Sequence, residues 1–422
     1  MYRVISFLLM LLIVSGCTTP QAGPTPTPTL NQPTRPVSLA TPVPTAAPTS
    51  AASLPTAGVT TGPPAPTAAP TAVSTTVPPQ DGVLPAPLYV LDYGQIARIE
   101  RDGKSRNLVT SEKVGIQGVE PIATFAVSRA GHIAYVVGDS KADRLVWTGP
   151  HGENRRIIYE VEGHELSNLV WSNDSSQIYL RILNNRQPPD MPSGIYRISS
   201  AGGSPTLLRA DDPVDNVANP SPTINGYRPF AFSLDGSRLL VEIYSLYYDG
   251  CGLGVIPTAG GDMVRLNVPL NTKTFCGEAT WSPDGTAVSF LAGPDSGPTI
   301  WRGDAASGAT TAMAAADVLS RAPIAMSDGA LRFFLVRHDP PGSGPVIFTM
   351  SYLTNPQAAP IALGAPFNER LGQVLWSPDG TGAVISIVPT DKPVDLRWVP
   401  ADGEAIPLPN TSQGINGMAW GL

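Results

Sequence analysis

The chain has 422 residues, with 27 Lys and Arg against 34 Asp and Glu and a formal net charge of −7. This mild acidic balance, with no basic run and no Lys/Arg cluster interleaved with aromatics, excludes nucleic acid as a partner and speaks mainly to solubility. Length alone predicts two or three domains, but residues 18–80 consist largely of Pro, Thr, Ala and Ser, with Arg35 as their only charge; too apolar-poor to offset ordering entropy, they leave one large core between about Pro85 and Leu422.

The N-terminus reads as a sorting signal over residues 1–16. Arg3 supplies a positive charge, and Val4 to Val14 is apolar except for Ser6. As a helix this run rises only ~16 Å, too short for ~30 Å of hydrocarbon, which fits a signal-peptide core. It ends Val14-Ser15-Gly16-Cys17, which resembles the lipobox of bacterial lipoproteins. The resemblance implies lipidation of Cys17, cleavage before it, and firm membrane anchoring through two or three acyl chains. The expected location is the extracytoplasmic side of a cell membrane.

Residues 17–84 form the expected tether. Pro-Thr and Ala-Pro-Thr units recur from Pro24 to Pro79. Proline fixes φ and removes donors, so the segment favours polyproline II at ~3.1 Å per residue and can space the domain from the membrane.

From Pro85 onward one unit repeats: an apolar strand, a serine, then a tight turn. It occurs at Phe125–Ser128, Leu169–Ser172, Phe230–Ser233, Ala279–Ser282, Ile324–Ser327 and Val374–Ser377, and ends as Gly417–Trp420 with Gly421 in the serine place. Successive steps are 44, 61, 49, 45, 50 and 44 residues, each long enough for four short strands. A later turn has the same count: Asp102-Gly103, His151-Gly152, Gly202-Gly203, Gly260-Gly261, Ser307-Gly308, Asn355-Pro356 and Asp402-Gly403. Gly, Asn and Asp supply the positive φ that hairpins need. The first hairpin precedes the first serine, and the last serine-type strand follows the last hairpin. The fold class is therefore all-β, a single propeller of about seven four-stranded blades over residues 85–422. Its C-terminal strand completes the N-terminal blade, leaving no open edge pair.

Trp281–Gly285 and Trp376–Gly380 both read Trp-Ser-Pro-Asp-Gly, and Phe232–Gly236 is a looser copy. In this turn Pro presets φ, Asp caps and Gly takes positive φ. These units resemble the WD-like repeats of the TolB-type propeller. The resemblance covers Leu88 to Leu422 and implies protein partners in the cell envelope. All seven tryptophans are expected in inter-sheet core.

Chemistry-bearing signals are sparse. None of the four histidines has catalytic spacing; His164-Glu165 starts like a zinc-protease motif but lacks its second histidine. No G-x-S-x-G elbow, phosphate loop or dinucleotide fingerprint occurs. No cofactor and no metal are expected. With Cys17 lipidated, Cys251 and Cys276 remain; both fall in loops of one propeller face, and an oxidising compartment predicts a disulfide contributing ~2–4 kcal/mol. Loops joining second and third strands each carry an aspartate: Asp92, Asp139, Asp190, Asp249, Asp295, Asp339 and Asp391. With Tyr244, Tyr247 and Tyr248 they form the candidate binding face. The expected role is a monomeric, non-catalytic binding or scaffold module for envelope proteins or extracellular peptides. A carbohydrate-active hydrolase or lyase, or a solute- or metal-binding lipoprotein using the channel mouth, is the alternative.

Overall fold

A computed structural model describes residues 82–112, 122–139, 141–186, 191–212, 225–245, 251–269, 272–294, 297–314, 319–338, 344–355, 358–389, 393–409 and 415–421. The signal, lipobox and tether up to residue 81 lie outside them. Among the described residues there is no helix, and 28 strands form five four-stranded sheets and one eight-stranded sheet. The larger sheet is two blades joined through the single pair Cys251↔Thr274, so the ring has seven blades.

Blade 1 pairs Leu88–Asp92, Gln95–Ile99 and Arg106–Leu108 with the C-terminal strand Ile415–Trp420, the expected closure. In chain order the other innermost strands are Ile122–Val127, His164–Trp171, Asn225–Phe232, Lys273–Trp281, Ser320–Ala325 and Leu371–Trp376. The fold reaches back to Leu84, just before the expected boundary: its N–H donates to the Arg101 carbonyl at 2.9 Å and its side chain is buried.

Second strands explain why so much of the sequence reads as unbroken apolar runs. Ala287–Gly293, Gly382–Ile387 and Leu88–Asp92 are buried along their whole length, because each blade is covered on both faces by its neighbours. Fourth strands such as Ile361–Ala362 and Ile406–Pro407 are exposed at the periphery. Alternation sorts side chains between interfaces: Leu88 and Val90 pack with Val384, Leu396 and Trp398 of blade 7, whereas Tyr89 and Leu91 pack with Ile133 and Tyr135 of blade 2.

The expected 3–4 hairpins also hold blades together. Gly308, in blade 5, has φ of 73° and donates to Asp304 O at 2.9 Å, while its own carbonyl accepts from Asn267 N of the preceding connection at 2.9 Å. A Cβ there would lie 2.1 Å from the Arg265 carbonyl oxygen of blade 4. Gly308→Ala therefore adds left-handed strain to a backbone clash, and is expected to lower unfolding free energy by about 1–3 kcal/mol. Urea denaturation followed by tryptophan fluorescence measures it; an unchanged midpoint would contradict the packing described.

Candidate functional site

The serine turns close one end of the channel. Ser172, Ser233 and Ser282 each donate a hydroxyl hydrogen bond to the aspartate two residues on, at 2.6 Å in all three. Each hydroxyl also accepts from the N–H five residues on, at 2.9–3.0 Å. Ser377 likewise accepts from Gly382 N at 3.1 Å. One expected member differs: Met326, not Ser327, holds the serine position in blade 6, since its N–H and carbonyl make the turn bonds to Ala330 and Gly329. The local spelling Ala-Met-Ser-Asp-Gly shifted the alignment by one residue.

These bonds set the charge of the turns. Ser233 and then Ser237 hold Asp235 down at about 2, and Ser282 and then the Thr286 amide hold Asp284 down at about 2. A carboxyl depressed in the folded state stabilises it at pH above the unfolded value near 3.8 and loses that contribution as pH falls toward 2. Asp284→Asn is expected to flatten the pH dependence of the urea midpoint between about pH 4 and 2 relative to wild type. Parallel curves in that window would refute the turn electrostatics.

Above the turns, indoles bridge neighbouring blades. Trp171, Trp281, Trp376 and Trp420 donate Nε1–H to the carbonyls of Ala126, Ala231, Ala322 and Trp376, at 3.1, 3.0, 2.7 and 2.7 Å. Each acceptor lies on the innermost strand of the preceding blade. The sequence placed these rings in the core, and their bonds show why tryptophan rather than phenylalanine recurs there.

At this end blades 1–4 line an open recess of about 360 Å³. Phe125, Val127, Val170, Phe230 and Met418 contribute apolar walls, and the turn residues Arg129 and Asn173 lie at its rim. Arg129 is exposed, whereas Asn173 is tied to blade 4 by bonds to Ser233 O and Leu234 O, both at 2.8 Å. An open recess of mixed polar and apolar lining, with a cation at its edge, can take an apolar group bearing negative charge. Sequence reading nominated the opposite end of the channel. The signal that could have found the recess is the run of Phe, Val and Met in the second half of successive innermost strands.

The opposite end gives a mixed outcome. Asp92 is no rim acid: it is the last residue of its strand, 5% exposed and ion-paired with Arg106. Asp139 does lie in its loop, but accepts from the amides of Ala142 and Lys141 and pairs with Arg144 at 2.8 Å, which together hold it down at about 2. Tyr244 is half-buried between the guanidinium groups of Arg181 and Arg228, 4.9 and 4.2 Å from its ring centre. Arg181 in turn makes a two-pronged pair with Asp211 at 2.8 and 2.7 Å. Asp190, Tyr247, Tyr248, Asp249, Asp295, Asp339 and Asp391 lie outside the described residues.

Cys251 and Cys276 are bonded to each other, with Cα atoms 5.4 Å apart. The histidines are engaged locally: His164 with Glu162 O at 2.7 Å, His338 with Gly344 O at 3.0 Å, His151 with Arg98 at 2.7 Å, and His132 against the Trp147 ring at 4.8 Å.

No protein-family model matches the chain, and no curated protein matches it. Solved structures do. A puromycin hydrolase aligns at 14% identity over 79% of this chain and 53% of its own, with a TM-score of 0.56. A prolyl endopeptidase aligns at 13% identity over 77% of this chain and 50% of its own, with a TM-score of 0.55. TolB from Acinetobacter baumannii aligns at 16% identity over 80% of this chain and 67% of its own, with a TM-score of 0.47. The likeness is one of fold. The chain spans about half the length of these two hydrolytic enzymes.

Proposed function

We propose that this propeller is a non-catalytic binding module, held on the extracytoplasmic side of a membrane by lipid on Cys17, that grips an apolar segment of an envelope protein or extracellular peptide. The observation that carries the binding reading is the recess across blades 1–4, with apolar walls and Arg129 at its rim. At about 360 Å³ it is an open surface recess that can receive a side chain from a partner. The flanking positions supply a carbonyl-bound asparagine and a free-facing cation, which orient rather than react.

The anchor rests on the spacing of Arg3, the apolar run and Val14-Ser15-Gly16-Cys17. Two acyl chains hold a protein firmly, whereas none leaves it in solution. In the native host, Cys17→Ala is expected to move the protein from the membrane pellet to the soluble fraction, read by immunoblot. A variant that stays in the pellet would end the anchor reading.

The recess is tested by affinity capture from native membranes using the full chain as bait, with mass spectrometric identification. Val170→Lys extends a charged stem into the recess. It is expected to reduce recovery of a stoichiometric partner by at least about tenfold while leaving the thermal midpoint within a few degrees, the usual cost of losing a central anchor pocket. Equal recovery by both baits would discard the recess and return attention to the face that carries Tyr244.

A further inference from the structure

Where blades 4 and 5 fuse, three donor groups meet. Glu242 lies on the second strand of blade 4, Arg238–Ser245; Cys251 opens the third strand; Cys276 lies on the innermost strand of blade 5. One carboxylate oxygen and the two sulfurs all lie within 4.8 Å of one another. Glu242 and Cys251 are 6% and 7% exposed, whereas Cys276 is exposed.

The disulfide alone does not account for Glu242. Burying a carboxylate is costly unless it is paired or hydrogen-bonded. Here Oε1 accepts one bond, from Gly277 N at 2.5 Å. The cation across the strand pair, Arg228, lies against the Tyr244 ring at 4.2 Å, and no Arg228–Glu242 ion pair occurs among the described residues. A second oddity adjoins the first: Thr274, the Cα partner of Cys251, is 2% exposed and its hydroxyl has no hydrogen-bond partner. A buried carboxylate and two sulfurs form a donor set of three, and an unpaired buried hydroxyl sits on the residue paired with Cys251.

We propose that Glu242, Cys251 and Cys276 are a redox-gated site for a zinc-class divalent cation, with the disulfide as its closed state. Thiolates and one carboxylate suit Zn²⁺ and disfavour Mg²⁺ or Ca²⁺, which take oxygen ligands. Opening requires a thiol reductant. One thiolate attacks the exposed Cys276 sulfur and expels Cys251 as thiolate; a second resolves the mixed disulfide and expels Cys276. Two external thiols become one external disulfide, and the protein gains two electrons and two protons. Cation binding then releases those two thiol protons. With Zn–S bonds of about 2.3 Å, two sulfurs of a tetrahedral centre stand about 3.8 Å apart, so opening the disulfide must separate the sulfurs of two residues whose Cα atoms are 5.4 Å apart. The fourth position falls to the Thr274 hydroxyl or to water. This site is separate from the recess, so the two readings stand or fall apart. It matters to the opposite face, because Cys251 is the register partner of Tyr244.

The test uses the full chain carrying Cys17→Ser, so that Cys251 and Cys276 are the only thiols among its 3 cysteines. The protein is reduced with a phosphine, desalted without oxygen and titrated with Co²⁺ as a spectroscopic probe. The expected result is one equivalent bound, with a thiolate-to-cobalt charge-transfer band and the visible bands of a four-coordinate ion, both erased by Zn²⁺. The oxidised chain should show neither, and Glu242→Gln should weaken Co²⁺ binding at least about tenfold. Absence of the charge-transfer band in the reduced chain would overturn the proposal. So would equal affinity in Glu242→Gln, or loss of native near-ultraviolet circular dichroism on reduction, since the site needs the folded junction.

Discussion

A propeller blade is apolar on both faces and cannot bury either by itself, and this governs the rest of the molecule. Each of the seven apolar clusters straddles a boundary between two blades. Tyr89 and Leu91 belong to one cluster, Leu88 and Val90 to another, so one strand serves two interfaces through the period of two. Were the ring open, two whole sheet faces would meet water. Lending Ile415–Trp420 to the sheet of Leu88–Asp92 makes the seventh interface like the others, with Trp398 and Trp420 edge to face at 6.0 Å. Chain ends that would otherwise fray are thereby tied to the same sheet.

The innermost strands pay for this arrangement in regularity. All seven pair with their second strands through a register shift, as between Ser167 and Val170 or Thr274 and Ala279. Bulges bend a strand and strengthen its twist, which sheets crowded about an axis require. A bulge also releases backbone groups from the ladder. The indole of Trp376 takes up one such carbonyl, at Ala322, a residue with φ of 48°, while Glu278 receives the Ala322 amide at 2.6 Å. Side chains thus satisfy what the ladder leaves open, and they do so between blades.

The fold was legible because it is written repeatedly. Ser-Pro-Asp-Gly specifies a turn by local chemistry alone, and the order of serines and hairpins carries the closure. What failed to show was whatever depends on a partner far away in sequence. Asp92 reads as a loop acid by its neighbours Tyr93 and Gly94, yet Arg106, fourteen residues on, draws it into the fold. Met326 takes the serine position in a short turn of the same form as that of Ser128, and the serine that follows it in sequence lies one residue past the turn's start. The recess was invisible for a related reason. Phe125, Val170, Phe230 and Met418 look like ordinary strand residues one at a time, and only the ring makes them a common wall.

The two ends of the channel consequently have different physical characters. At the serine turns, short loops knit by Asn173 and Asp284 hold their shape, so a recess there is preformed and binding would cost little ordering. At the other end, several of the described charges are paired within the fold: Arg181 with Asp211, Arg106 with Asp92, Arg144 with Asp139 and Arg321 with Glu278. Such pairs fix loop roots rather than present free charge. The junction of blades 4 and 5 lies beside Tyr244 at that end. That junction has a single backbone pair, Cys251↔Thr274, and the link between Cys251 and Cys276. A covalent bond and a metal bridge would hold the same two strands at different sulfur spacing, with Tyr244 directly across from Cys251. Coupling between redox state and the Tyr244 face then needs no long pathway, only the one strand pair they share.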